Sequence, residues 1–149
     1  YYNWGDASGK NIDGEANPYD LPTQMKSIAG SSLDIAAMNW GRGWRMPTSE
    51  EFQELIDKCT WKMVNKRGEV PGYRVTGPSG KSIFLPFAGY RRGPAFFKQG
   101  VVGCYWSASP YTEARQSAAY FLEMDGDVVS VSRGDFASTG YSVRPVLDK

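Results

Sequence analysis

The sequence predicts an α+β fold, mostly β, with one or two short helices and long loops. Three observations carry that prediction. Glycine (17), proline (9) and aromatic residues (14%) are abundant among the 149 residues, which favours a turn-rich β domain over a helical bundle. The segment 48–59 repeats apolar residues at the helical period. From Thr60 onward the period shifts towards two, and glycine-rich tight turns punctuate the chain. The length suits a single domain with a real core, so 1–149 is read as one unit.

Residues 1–32 are rich in Gly, Asn, Asp, Ser and Pro and read as long loop. Asp6, Asn11, Asp13 and Glu15 lack the spacing of a calcium loop and are expected to be solvated. Ser32 is placed as the cap of a short helix through Leu33, Ile35, Ala36 and Ala37 that stops near Gly41. The strongest helix follows Pro47. There Thr48 and Glu51 form a capping box, and Phe52, Leu55, Ile56 and Cys59 line one face. Acidic residues in its first turn and Lys58 in its last suit the helix dipole.

Trp61 and Met63, then a Lys66-Arg67-Gly68 turn, open a β excursion. Strands at 73–76 and 82–87 flank Gly77-Pro78-Ser79-Gly80, a hairpin turn. Residues 88–103, with Tyr90, Arg91, Arg92, Phe96, Phe97 and Lys98, read as a long aromatic and basic loop that buries its rings under itself. A strand at 104–109 follows. A hairpin of 118–124 and 128–132 then turns across Asp125-Gly126, a dipeptide that favours a type I′ turn. Residues 133–139 read as irregular and 141–146 as the closing strand.

The inventory of reactive groups is short. Histidine is absent, which removes Ser-His-Asp and Cys-His nucleophiles, His-ligated zinc and the commonest general base. Cys59 and Cys104 lie 45 positions apart, which excludes a CxxC motif and leaves buried thiols or one structural disulfide. Asp125-Gly126-Asp127 is read as turn chemistry rather than as calcium ligands. The expectation is a non-enzyme with no cofactor and no metal. Seventeen basic against sixteen acidic side chains give a net charge of +1, so bulk charge points to neither nucleic acid nor an anionic membrane. No apolar run approaches the roughly 18–20 residues that span a bilayer, so direct membrane insertion is not expected.

Four motifs then occur in a telling order. They are Gly43-Trp44-Arg45-Met46-Pro47-Thr48 with Glu51-Phe52-Gln53-Glu54-Leu55, Leu85-Pro86-Phe87-Ala88-Gly89-Tyr90-Arg91, Tyr105-Trp106-Ser107-Ala108-Ser109 and Ser142-Val143-Arg144-Pro145-Val146. In this order the chain resembles the Fibrobacter succinogenes major paralogous domain family over residues 34–146. The resemblance implies a C-type-lectin-like fold, related to the formylglycine-generating sulfatase-modifying domain, in exported or cell-surface bacterial proteins. Relatives carry an N-terminal strand ahead of the Trp4-Gly5-Asp6 region that meets the C-terminal one. This chain starts after that point, so the strand is expected to be absent. Many relatives also have an Asn-rich stretch before the final strand, whereas here 125–139 holds none and the last Asn is Asn65. In lectin-fold proteins diversified by retroelements, Asn codons are rewritten to Tyr, Ser, Asp, Gly, Arg or Phe.

On that resemblance Asp125, Val128, Ser130, Arg133, Gly134, Asp135, Phe136 and Ser138 take variable places, with Val129 and Val131 as interleaved scaffold. The expected ligand-binding face comprises those side chains other than Gly134, with Glu123, and with Tyr111 and Arg115 on the adjacent loop. Its ligand is an unidentified protein or glycan, gripped in the manner of an adhesin. Arg45 and Arg144 are expected to be half-buried and paired, and Trp44 and Trp106 to be core aromatics. Two alternatives stand beside this reading. One is a structural domain of a surface or pilus assembly that touches only neighbouring chains. The other is an oxidase related to formylglycine-generating enzymes, which needs Cys59 and Cys104 side by side in an open cleft.

Overall fold

Residues Gly103–Pro110 bury side chains on both faces, and the described chain is arranged around them. The structure, a computed structural model, describes residues 1–10, 25–113 and 118–148. It is mostly β, 41% strand and 12% helix. In chain order the elements are α1 (Ile35–Trp40), β1 (Trp44–Arg45), α2 (Ser49–Lys58), β2 (Thr60–Val64), β3 (Gly72–Thr76) and β4 (Ser82–Pro86). They continue with β5 (Tyr90–Arg92), β6 (Ala95–Phe97), β7 (Gly103–Pro110), β8 (Ala118–Met124), β9 (Val129–Phe136) and β10 (Val146–Leu147). Four small sheets result, ordered β7-β8-β9, β2-β3-β4, β5-β6 and β1-β10, every pairing within them antiparallel.

Period-two alternation makes the β7-β8-β9 sheet a wall between two cores. Cys104, Trp106 and Ala108 point into one, with Trp4, Ile35, Met46, Phe121 and Tyr141. Tyr105 points into the other, with Phe52, Tyr73, Leu85, Leu122 and Met124. The second core is closed by α2 and by the inner face of β2-β3-β4. Helix α2 starts as the capping box predicts: Thr48 Oγ1 accepts from the Glu51 N–H at 3.2 Å, and Glu51 Oε2 accepts from the Thr48 N–H at 2.9 Å. Arg45 clamps the same carboxylate through two bonds of 2.7 Å and also reaches Asp148, which ties β1, α2 and the chain beyond β10 together. That guanidinium holds the Glu51 carboxyl below the usual carboxylate range.

The N-terminal segment does meet the C-terminal one. Tyr2 and Tyr141 exchange backbone bonds of 2.8 and 3.2 Å, and the Trp4 N–H donates to Ala137 at 2.8 Å. Ser142 then runs parallel to β7, bonded to Cys104 and Trp106 at 3.0 Å each, before β10 pairs with β1.

Several sequence expectations need correction. The cap of α1 is Asp34, not Ser32. Its buried carboxylate accepts the N–H groups of Ala36 and Ala37, and also those of Gly30 and Met46, so one side chain ends two loops. Residues 88–103 are not a plain loop, because the hairpin β5-β6 forms inside them. β9 continues to Phe136, well into the stretch read as irregular. The 125–128 turn is not type I′: neither Gly126 nor Asp127 has a positive φ. The Asp125 carboxylate closes it instead by accepting the N–H groups of Asp127 and Val128.

Trp44 is 37% exposed rather than a core aromatic, and the second buried tryptophan beside Trp106 is Trp4. Arg45 is half-buried and paired as expected, but Arg144 is exposed. Asp6 is buried, its Oδ1 accepting from the Ser8 N–H and hydroxyl, while Asn11, Asp13 and Glu15 lie outside the described residues. Both cysteines are free thiols, so the disulfide is not formed. No helix among the described residues is long and apolar enough to cross a membrane.

Candidate ligand-binding face

The β8-β9 register decides which of the expected site residues share a surface. Glu123 stands opposite Ser130 and Phe121 opposite Ser132, so these four side chains face one way. Leu122 and Met124, opposite Val131 and Val129, face the second core, which gives the two valines the scaffold places expected of them. The Ser132 hydroxyl donates to Glu123 Oε2 at 2.8 Å, and Ser130 Oγ lies 3.4 Å from Ser132 Oγ. A carboxylate and two hydroxyls therefore form a continuous polar row beside Phe121.

A bulge then changes the parity. Ala119 pairs with Asp135 and Phe121 with Ser132, so Arg133 and Gly134 together oppose Tyr120. Gly134 takes a left-handed φ of 31°, and a Cβ there would lie 2.3 Å from the Tyr111 ring. Glycine is the residue that fits this bulge. Because of the extra residue, Asp135 returns to the Glu123 side, where its Oδ2 accepts the Tyr141 hydroxyl at 2.6 Å. Arg133 and Phe136 fall on the opposite side, with Tyr120 and Tyr111, whose rings meet edge-on at 5.4 Å.

The expected set is thus divided. Glu123, Ser130 and Asp135 share one face. Arg133, Phe136 and Tyr111 share the other. Asp125 and Val128 form the turn at the end of the hairpin, and Ser138 sits in the turn closed by the Thr139 N–H on Phe136. Arg115 lies outside the described residues.

The Glu123 face gains residues that sequence reasoning placed in a self-packed loop. The β5-β6 hairpin stacks Tyr90 on Phe97 with ring centroids 5.5 Å apart, and Tyr90 meets Tyr141 edge-on at 6.2 Å. Arg92 lies over the Tyr90 ring at 5.4 Å and reaches Asp135 at 3.9 Å, its side chain 63% exposed. Lys98, at the end of the hairpin, has a φ of 52° and is the only non-glycine residue with a positive φ among the described residues. Its charge is felt at Asp125 and at Cys104. Phe96 and Phe97 are exposed rather than buried. The interleaved basic and aromatic residues of 90–98 were the available signal, but their placement depends on the contact of Tyr90 with Tyr141, 51 residues away.

Beneath Glu123 the Cys104 thiol is 3% exposed, and burial, followed by the charges of Glu123 and Asp135, pushes its pKa up to about 12. Such a thiol is protonated and unreactive at neutral pH. Cys59 lies at the edge of the other core, so the side-by-side pair that an oxidase would need is not assembled. Burial, with the Asp135 contact second, likewise holds the Tyr141 hydroxyl protonated as a donor. Chemically, the face offers fixed acceptors, exposed cations and aromatic edges.

No family model, curated protein or solved structure matches the chain.

Proposed function

We propose that this chain is a non-catalytic ligand-recognition module of an exported or cell-surface bacterial protein, with a C-type-lectin-like arrangement. The single observation that carries the reading is the convergence of two hairpins on one surface. Glu123, Ser130, Ser132 and Asp135 come from β8-β9, and Arg92, Phe97 and Lys98 from β5-β6 and its end. Most of these side chains are exposed and none is in either buried core, so packing does not dictate their identities. Aromatic area with arginine, serine and carboxylates is the composition of recognition loops in general. The lectin-like arrangement draws support from the paired chain ends at Tyr2 and Tyr141 and from the two helices packed on small antiparallel sheets. A diversified origin of residues 125–138 belongs to the same reading.

The test probes glycan and protein arrays with the whole chain. A ligand found this way should be lost in Arg92→Ala/Glu123→Ala/Ser130→Ala and kept in Arg133→Ala/Phe136→Ala, with both variants melting near the parent. The reverse pattern would move the site to the opposite side of the hairpin. Sequencing the region for 105–146 across many cells, beside an Asn-codon-rich near-copy, tests diversification, and a uniform sequence removes it.

A second reading, a structural domain of a surface assembly, is favoured by one observation. Met38, Trp40, Trp44 and Leu147 are all exposed, with Trp44 directly opposite Leu147 in the β1-β10 pair.

A further inference from the structure

The net charge of +1 is balanced over the whole chain but not along it. Residues 58–98 hold nine Lys and Arg against one acidic residue, Glu69. Two of these cations, Lys62 and Arg74, lie in the β2-β3-β4 sheet, and Lys66, Arg67 and Lys81 lie in its connecting turns. Its inner face packs Tyr73, Val75 and Leu85 into the second core, and its outer face is open. Register places Lys62 directly opposite Arg74 and Arg74 opposite Phe84, one row across all three strands, each side chain exposed. Thr60, Thr76 and Ser82 form the next row. No carboxylate occupies these three strands. Exposed Lys66 and Arg67 follow β2 in a turn that also holds exposed Glu69, and exposed Lys81 sits at the β3-β4 turn, so cations flank the row at both ends.

Folding does not call for this pattern. Like charges directly opposite in a sheet are destabilising, and the alternation points both Lys62 and Arg74 away from the core. Phe84 is placed with equal definition. A Cβ on Gly72 would lie 2.9 Å from its Cζ, so the ring reaches over the glycine while the residue stays 36% exposed. A flat ring set among cations and hydroxyls is a surface for a ligand with an apolar face and repeated negative charge.

We propose that the outer face of β2-β3-β4 is a second binding site, for an acidic polysaccharide whose sugar rings carry sulfate or carboxylate groups. Lys62, Arg74, Lys66, Arg67 and Lys81 attract the anionic groups, the Thr60–Thr76–Ser82 row meets sugar hydroxyls, and the Phe84 ring takes the flat side of one sugar. One ring among five cations favours a polysaccharide over single-stranded nucleic acid, which is held on successive aromatic platforms. The site stands on a different sheet from the Glu123 face and does not depend on it.

The test titrates the whole chain calorimetrically, over a salt series, with heparin, with inorganic polyphosphate as charge without sugar, and with oligo(dT). Heparin is expected to bind tightest. Lys62→Gln/Arg74→Gln should weaken heparin roughly two- to fivefold per charge removed and lower the salt slope by about two. Phe84→Leu, which covers Gly72 without offering a ring, should weaken heparin and leave polyphosphate unchanged. Lys26→Gln, an exposed cation on neither surface, should bind heparin as the parent does. Thermal melts separate binding from folding, since the Lys62→Gln/Arg74→Gln variant loses a like-charge pair and should melt no lower than the parent. Four results each overturn the proposal: no heparin binding at low salt, polyphosphate binding as tightly as heparin, oligo(dT) binding tighter than heparin, or a Phe84→Leu variant indistinguishable from the parent towards heparin.

Discussion

The two three-stranded sheets are built alike but covered differently. β7-β8-β9 has a core on each side, and its first-core face opens only towards the Glu123–Ser130 end. β2-β3-β4 has a core on one side, and Lys62, Arg74 and Phe84 are exposed on the other. Where both faces are packed, residue identity reports the fold: Trp106, Phe121, Leu122 and Met124 are there to fill space. Where one face is free, packing stops choosing the side chains, and what remains reports what the surface meets. An even net charge conceals this, because the acidic half of the count lies mostly elsewhere in the chain.

The largest expected effect breaks the comparison at its centre. Trp106 is fully buried, its indole N–H donating to Tyr2 O at 2.8 Å and its ring against Tyr141 and Phe121. Trp106→Ala should cost about 3–5 kcal/mol by urea unfolding. Phe84→Leu on the open face should stay within about 0.5 kcal/mol. Equal losses at the two sites would mean that the outer face of β2-β3-β4 is packed after all.

Gly134 comes next. Gly134→Ala drives a methyl into the Tyr111 ring and forces a left-handed alanine, for a loss of about 1–3 kcal/mol. Tyr111→Ala should relieve the steric part, so the double variant should lose less than the sum of the singles. Additivity would mean that the bulge does not depend on Tyr111.

Legibility followed the range of the interactions. The α2 capping box, the 77–80 turn and the interleaved Val129 and Val131 are set by residues within a few positions, and the sequence predicts them correctly. The division of the site residues was not legible. The bulge that brings Asp135 to the Glu123 side and turns Phe136 away from it is fitted by Tyr111, more than twenty residues upstream, so strict alternation from Val129 places Arg133 correctly but misplaces Asp135 and Phe136. The β5-β6 hairpin has no period-two pattern because its outer strand, Ala95–Phe97, is exposed throughout. Trp44 stays outside the core for a similar reason: it has one partner strand, two residues long, and so remains exposed.

The Cys104 thiol sharpens the same contrast through pH. Its pKa is raised from 9.0 to about 12 in the folded chain. Above pH 9 the unfolded chain therefore holds fewer protons than the folded one, and stability falls as pH rises, with a slope that approaches about 1.4 kcal/mol per unit midway between the two values. Below the unfolded pKa this contribution is flat. Tyr105 and Tyr141, also raised by burial, add the same sign from their ordinary value of 10.0 upward. Urea unfolding between pH 9 and 10 weights the cysteine most, because the tyrosines start to ionise only towards the top of that range, and Cys104→Ala should make the curve shallower there. A slope unchanged by the substitution would assign the alkaline loss to the tyrosines alone. In the native chain a thiol reagent should modify half-buried Cys59 well before Cys104.

The smallest expected effect is the most discriminating for the open face. Lys62→Glu replaces a like-charge pair with Arg74 by an opposite-charge one at a directly paired position. Sheet energetics alone give a stabilisation of about 0.2–1 kcal/mol, readable as a raised Tm at low salt and a smaller rise at high salt. Polysaccharide binding should move the other way, since the same change removes one cation and adds an anion beside the Phe84 ring. A variant that is both more stable and a weaker binder separates the two demands on Lys62 within one residue: the fold tolerates it, and the ligand selects it. A loss of stability would instead mean that the Lys62 stem packs on its neighbours, and the free face would then be part of the fold.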